Sequence, residues 1–423
     1  MATISVIGAG FVGLTTGIHL SELGHSVVIS EIDGEKVRTL QLGKVPFDED
    51  SLKDKVGKFS SIQFTSDNVA AASNCEFAFL CLPTPALASG AADISALEEV
   101  VDEFRDKLRP NTVLIVKSTV PVGTTRRLEK RLKRPDCYVA SNPEFLREGQ
   151  ALFDSRSPAR IVIGCMDESI ADKIFELYGH PNCPVVKTDF ETAELIKYTS
   201  NAYLAMRLSF VNDIASISSL AGANTRLLFE GIGLDNRIGH QFLKPGPGWG
   251  GSCFPKDTQA LIRTAQELGF EFHLLDAVVR SNERHQMRLT AQIKNLVELR
   301  GSKIGVLGLT FKAGTSDQRK SPALRIACDL AEDGYTVVAY DPTCSTHSDL
   351  TIDAKVHIAS NISEVCAGMD LLVVLTEWPE FSSIDPGEIA PQMRNAQVLD
   401  ARGILNRTEW VKAGFEFFGL FNV

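Results

Sequence analysis

The segment Gly250-Gly251-Ser252-Cys253-Phe254-Pro255-Lys256-Asp257 holds the residues best suited to covalent chemistry. Pro255 is placed to begin a helix and Asp257 to sit in its first turn. Cys253 then stands just before a helix N-terminus, where the dipole favours a thiolate, and Lys256 adds positive charge. The two glycines let a substrate come close to the backbone. Lys197 and Asn201 are four apart in a helix-patterned run, hence on one face, a cation and an amide suited to a developing alkoxide. Glu144 and Glu148 follow a strand-like run in Asn142-Pro143-Glu144-Phe145-Leu146-Arg147-Glu148-Gly149, where α/β proteins place function. Thr119 follows another strand end in Ser118-Thr119-Val120-Pro121-Val122-Gly123. Each has a plainer reading: a solvated Lys–Asn pair, an acidic helix start, an N-cap.

Gly8-Ala9-Gly10-Phe11-Val12-Gly13 is a G-x-G-x-x-G between a strand-like and a helix-like run. Its glycines permit a tight turn and a close approach of backbone to pyrophosphate at a helix N-terminus. Glu31, at the end of the next strand, is placed to bond a ribose diol and repel a 2′-phosphate, which favours NAD over NADP; Asp33 is the alternative. A nicotinamide site beside a thiol implies particular chemistry. An alcohol loses hydride without help from sulfur. A thiolate becomes useful at the aldehyde, where it forms a thiohemiacetal that a second oxidation turns into a thioester, and water then releases an acid.

These residues need a scaffold. Ile4–Ile7, Ser26–Glu31, Phe77–Leu82, Val113–Val116, Tyr138–Ala140 and Ile161–Ile163 read as buried strands, with a helix over Val12–Leu23. That order predicts an α/β fold with a doubly wound parallel sheet. From Glu191 to Ala221 there is no Pro or Gly, which predicts one long helix. Leu195, Ile196, Leu204, Met206, Leu208, Phe210 and Val211 point in most directions around it, so burial on more than one face is expected. A further helix is predicted over Asp276–Leu299. From Gly301 the opening texture returns, with strands at Lys303–Leu307 and Thr336–Asp341 around a helix at Ala323–Glu332. The second half lacks the G-x-G-x-x-G spacing, so it should bind a different nucleotide moiety or none. The reading is two Rossmann-like doubly wound parallel-sheet domains, 1–188 and 301–423, joined by a helical middle domain, 189–300, with a long central helix.

The chain has 423 residues, 44% hydrophobic and 23% charged, with net charge −10. That balance argues against a general nucleic-acid partner. No apolar run is long enough for a membrane span, and the N-terminus lacks a signal-peptide pattern. The nine scattered cysteines contain no C-x-x-C, so neither a metal site nor a disulfide framework is expected, and a cytoplasmic location fits.

With Leu82-Pro83-Thr84-Pro85, Glu194–Asn201 and Phe311–Ser321 added, these motifs resemble the UDP-glucose/GDP-mannose dehydrogenase family over essentially the whole chain. The resemblance implies Cys253 as nucleophile, Lys197 with Asn201 as oxyanion stabilisers, and Asp257 and Glu144 handling water and protons. Thr119 would order water near the nicotinamide. The cofactor would meet Gly8, Gly10, Phe11, Val12, Gly13, Glu31, Lys36, Thr84, Thr119, Glu148, Lys256 and Arg319. The sugar nucleotide would meet Glu144, Phe145, Leu146, Arg147, Lys197, Asn201, Gly250 and Lys312. Arg237-Ile238-Gly239 and Phe242-Leu243-Lys244 look like the UDP-glucose branch, where the arginine reaches a neighbouring subunit's sugar. Ser252 replaces the His usual in the N-acetylhexosamine branch. A homodimer or larger homo-oligomer built around the long helix is also implied. Two departures stand out: Glu31 where Asp is common, and Pro46–Asp50 where a Glu-Pro-Gly pattern is usual, which bears on that loop's cofactor contact. Competing readings are the same oxidation of GDP-mannose or another UDP-hexose, a two-electron β-hydroxyacid dehydrogenase, and a nucleotide-binding sensor.

Overall fold

The computed structural model describes residues 1–47, 49–53, 62–297, 301–344 and 356–420. Asp48, within the divergent loop, lies outside them, as does the expected helix end at Leu299. The chain forms two compact units, Met1–Ser200 with Gln259–Phe270, and Asn201–Thr258 with Glu271–Val423.

The first unit is built on strands β1 (Thr3–Ile7), β2 (Ser26–Ser30), β3 (Ile62–Thr65), β4 (Phe77–Leu80), β5 (Val113–Val116), β6 (Tyr138–Ser141), β7 (Ile161–Gly164) and β8 (Val185–Thr188). Their order is β3-β2-β1-β4-β5-β6-β7-β8. The short, wholly apolar runs are explained by burial on both faces. Phe77, Phe79, Val113 and Ile115 point into one core, while Ala78, Leu80, Leu114 and Val116 point into the other. At about 1.5–3 kcal/mol for each fully buried large apolar side chain, these central strands dominate the unit's stability. One pairing departs from the parallel expectation: β6 meets β7 antiparallel, through Ser141 and Gly164.

The second unit holds β9 (Lys303–Leu307), β10 (Thr336–Tyr340), β11 (Val356–Ile358), β12 (Leu371–Val374), β13 (Gln397–Asp400) and β14 (Glu416–Gly419). All its pairings are parallel, in the order β11-β10-β9-β12-β13-β14, which repeats the first six positions of the first sheet. The faint internal repeat therefore reflects a shared topology. The second strand stops at Tyr340 rather than Asp341. The Asp341 carboxylate turns back to accept from the N–H groups of Leu309 and Thr310, 2.8 and 3.1 Å away.

The long helix spans Phe190–Leu220. Its burial is uneven around the axis. Leu195, Tyr203, Phe210, Ile217 and Leu220 are exposed, while Ala205, Val211 and Ala215 are buried. The helix thus buries a wide arc within the chain and leaves an apolar stripe exposed.

Candidate active site

The glycine turn shows why each glycine is there. Gly8 has φ of +99°, a backbone state that favours glycine, and a Cβ on it would lie 2.7 Å from the Cys81 carbonyl. A Cβ on Gly13 would lie 1.8 Å from the Gly8 carbonyl, so only glycine lets the first helix (Phe11–Glu22) seat against β1. Gly10 differs: nothing in the chain lies within 4 Å of a Cβ placed there. The turn is thus open on the side next to helix positions Phe11 and Val12, the kind of opening that approach of a phosphate to a helix N-terminus requires. Glu31 follows β2, and its carboxylate accepts from the N–H groups of Ala9 and Asp33, both at 3.2 Å. Asp33 caps the next helix (Gly34–Gln41), accepting from Glu35 and Lys36 N–H. Capping commits Asp33, which favours Glu31 as the ribose partner. Lys36 is exposed on that helix.

Elsewhere in the first unit, strand ends gather polar groups. Thr84 is buried, and its hydroxyl donates to the Thr119 carbonyl at 2.8 Å. Glu144 is buried, with its Oε1 2.9 Å from Lys197 Nζ. Burial pushes the Glu144 carboxyl up, but Lys197 more than offsets this and holds it below the usual range, with help from Leu146 N–H and Lys117. Phe145 stacks under the Arg160 guanidinium at 3.5 Å and lies 5.3 Å from Lys197 Nζ. Arg147 pairs with Asp154 at the surface. Glu148 is half-buried one residue before Gly149. In the divergent loop, Glu49 is buried and accepts from Gly149 N–H at 2.6 Å. That loop therefore braces the Glu144–Gly149 turn.

Sequence reasoning missed three groups here. Lys117 is buried and donates to Asn142 Oδ1 and Tyr178 Oη at 2.9 and 3.0 Å. Asn142 starts the Glu144 turn. Glu194 accepts from Gly123 and Thr125 N–H and from the Thr125 hydroxyl, at 2.6–2.7 Å, at the start of helix Thr124–Leu132. Burial raises its carboxyl to about 7. The signal was available: Glu194, Lys197 and Asn201 are spaced to share one face of the long helix.

The thiol segment lies in the second unit. The helix Phe254–Glu267 begins one residue before Pro255, and its first bond runs from Asp257 N–H to the Cys253 carbonyl at 2.9 Å. Cys253 is thus the N-cap. It is partly exposed, with its Sγ 3.5 Å from Ser252 Oγ. Burial pushes the thiols of Cys75, Cys81, Cys344 and Cys366 up to about 12, so these four are inert near neutrality. Asp257 is fully buried, accepting from Asn201 Nδ2 at 2.6 Å and pairing with Lys256 at 2.5 Å. Lys256 is thus tied to the carboxylate of its chain neighbour.

Gly250 and Gly251 have no room for side chains. A Cβ on the first would lie 2.1 Å from the Lys320 carbonyl, and one on the second 3.0 Å from the Phe311 ring. Lys312 Nζ sits 5.7 Å from that ring. Arg319 is exposed and forked onto Asp317, while its carbonyl accepts from Gly251 N–H. Arg237 is exposed and forked onto Asp235, Phe242 takes a positive φ of 58°, Leu243 is buried and Lys244 exposed.

Comparison with known proteins adds the following. Residues 2–182, 191–284 and 305–407 match the family models for the NAD binding, central and UDP binding domains of the UDP-glucose/GDP-mannose dehydrogenase family. The chain is 36% identical to UDP-glucose 6-dehydrogenase TuaD of Bacillus subtilis, over 99% of this chain and 93% of that protein. It is 38% identical to UDP-glucose 6-dehydrogenase of Rhizobium meliloti, over 98% of each. Its fold is similar to a UDP-glucose dehydrogenase from Pyrobaculum islandicum, with TM-score 0.92 and 32% identity over 100% of this chain and 98% of that one. A UDP-D-ManNAc dehydrogenase from Pyrococcus horikoshii follows, with TM-score 0.86 and 26% identity over 99% and 98%.

Proposed function

The chain belongs to the UDP-glucose/GDP-mannose dehydrogenase family, and from that premise we propose that it oxidises UDP-glucose to UDP-glucuronate through a covalent bond to Cys253. It is an NAD-dependent nucleotide-sugar dehydrogenase. The observation that carries the finer reading is the partly exposed Cys253 at a helix N-cap, four residues before an Asp257 held by Asn201 and Lys256.

NAD held on the glycine turn would supply the hydride acceptor, one molecule for each of the two oxidations. The chain's residues do the rest. Lys197 stabilises the oxygen of the sugar as it loses its proton, and Glu144 holds that ammonium in place. At the aldehyde, the Cys253 sulfur forms a bond to the carbonyl carbon while the π pair moves to oxygen. The resulting thiohemiacetal becomes a thioester on oxidation. Water attacks the thioester carbon, giving its proton to a carboxylate, Asp257 or Glu144, as the C–S bond breaks and the thiolate leaves. Thr119 orders that water near the nicotinamide.

UDP-glucose is favoured by the relatives' named substrate, by Ser252 before Cys253, and by the Arg237 and Phe242–Lys244 segments. The exposed stripe Leu195, Tyr203, Phe210, Ile217 and Leu220 supports a homodimer through the long helix. The test is an absorbance assay with purified protein and a panel of nucleotide-sugars. Two NADH per UDP-glucose is expected. Two per GDP-mannose or another UDP-hexose instead would reassign the substrate, and one NADH per substrate would end the covalent reading.

A further inference from the structure

The stretch Pro245-Gly246-Pro247-Gly248-Trp249-Gly250-Gly251 leads straight into Cys253. Four glycines in seven residues give a chain with large conformational freedom, and freedom of that kind must be removed by contacts if the thiol is to be aimed. The contacts come from behind. Gly246 N–H donates to Asn212 Oδ1 at 2.9 Å, and the Gly246 carbonyl lies 2.7 Å from His285 Nε2. Trp249 N–H donates to Asn282 Oδ1 at 2.9 Å, while Asn282 Nδ2 donates back to the Trp249 carbonyl at 3.0 Å. The Trp249 indole N–H donates to Ser209 Oγ at 2.9 Å. Ser209, Asn212, Asn282 and His285 are all buried. A Cβ on Gly248 would lie 2.8 Å from Asn282 Oδ1, so the fit is close.

Asn282 and His285 are three apart on the helix His273–Leu296, on a face that packs against this loop. We propose that they are positioning residues for Cys253, clamping the Gly246–Trp249 backbone so that the thiol is presented at its N-cap. The inference rests on Cys253 being the nucleophile. Neither residue touches the reacting atoms. Asn282 acts as a strand would, offering one acceptor and one donor to a single residue's backbone. No other side chain of that size does both: Asp has no donor for the Trp249 carbonyl, and Leu has neither group.

His285 adds a pH dependence. Its Nε2 carries the proton given to the Gly246 carbonyl, and its Nδ1 is buried with no partner among the described residues. Protonation would place an unpaired N–H and a charge in that pocket. The charged groups around it are Arg288 on its own helix and Asp213 on the long helix, and these two pair with each other. Burial accordingly holds the imidazole below its ordinary value. The clamp is intact through the ordinary histidine range and is strained only as pH falls below it, through the depressed value of the folded imidazole.

The experiment compares Asn282→Asp, His285→Gln and His285→Leu with the parent by steady-state kinetics, thermal melting, and the rate of Cys253 alkylation by iodoacetamide at pH 7. Asn282→Asp is expected to lower kcat about tenfold or more and slow alkylation several-fold, with KM for NAD within twofold. His285→Gln, which keeps an N–H for Gly246 but cannot gain a proton, should rescue activity that His285→Leu loses. It should also flatten the fall in kcat as pH is lowered below about 6.5. A merely structural role would lower the melting temperature but leave kcat and alkylation of the folded protein unchanged. That result for Asn282→Asp, or a parent-like acid fall in His285→Gln, overturns the proposal. If Cys253→Ser still forms acid, the nucleophile reading fails instead, while alkylation rates still decide the clamp.

Discussion

At the scale of single residues, the buried Lys197–Glu144 pair links turnover to stability. Removing one partner of such a pair strands a buried charge at a cost of about 3–5 kcal/mol. Lys197→Ala should therefore slow turnover far more than it weakens NAD binding, and lower the melting temperature as well. Glu144→Gln introduced alongside it should recover part of the melting temperature and none of the turnover. Equal losses in turnover and NAD affinity would assign Lys197 a structural role. The pair also predicts a pH dependence. The Glu144 carboxyl is lower in the folded chain than its ordinary value of 4.5, so its stabilisation is present above that value and lost as pH falls through the folded one. Melting of Glu144→Gln should be flatter than the parent's over that acid range. Cys253→Ser should abolish acid formation, because a hydroxyl is far less ionised than a thiol. Acid produced near the parent rate would end the covalent assignment. Cys253 and Asp257 were conspicuous as candidates because glycines, a proline and a lysine surround them. Asn282 and His285 were not, since their role depends on a loop more than 30 residues away that only folding brings to them.

Among elements, the glycine turn separates folding from binding. Gly13→Ala drives a Cβ into backbone that cannot yield, so loss of stability and of NAD binding together is expected. Gly10→Ala meets nothing in the protein, so melting should be unchanged while NAD affinity drops on titration. If both variants behave alike, the open side of the turn is not the pyrophosphate site. The long helix supplies another test. Burial raises Glu194 to about 7 from 4.5, a displacement that disfavours the folded state increasingly as pH rises across that interval. Against Glu194→Gln, the parent should lose roughly 2–4 kcal/mol between pH 4.5 and 7.5, read from denaturant unfolding. The central strands and the long helix could be read directly from unbroken apolar runs and from the lack of Pro and Gly. The edge strands β3 and β8 could not. Val185–Thr188 is largely exposed, with a lysine inside it, and a mixed four-residue run of that kind carries no periodic signal.

For the whole molecule, the doubled strand order explains why a faint repeat in sequence meant two sheets of one topology. No helix among the described residues is long and apolar enough to cross a membrane. The missing glycine pattern after β9 correctly marked the second sheet as different, but not how it differs. There the Asp341 carboxylate, almost fully buried, lies against the Leu309 and Thr310 N–H groups, the Thr310 hydroxyl and the Trp378 indole. A tight turn of backbone N–H groups is a natural berth for phosphate. In this copy the N–H groups of Leu309 and Thr310 already donate to the Asp341 carboxylate. With the G-x-G-x-x-G spacing missing after β9 as well, calorimetric titration should count one NAD per chain, however high the cofactor concentration is raised.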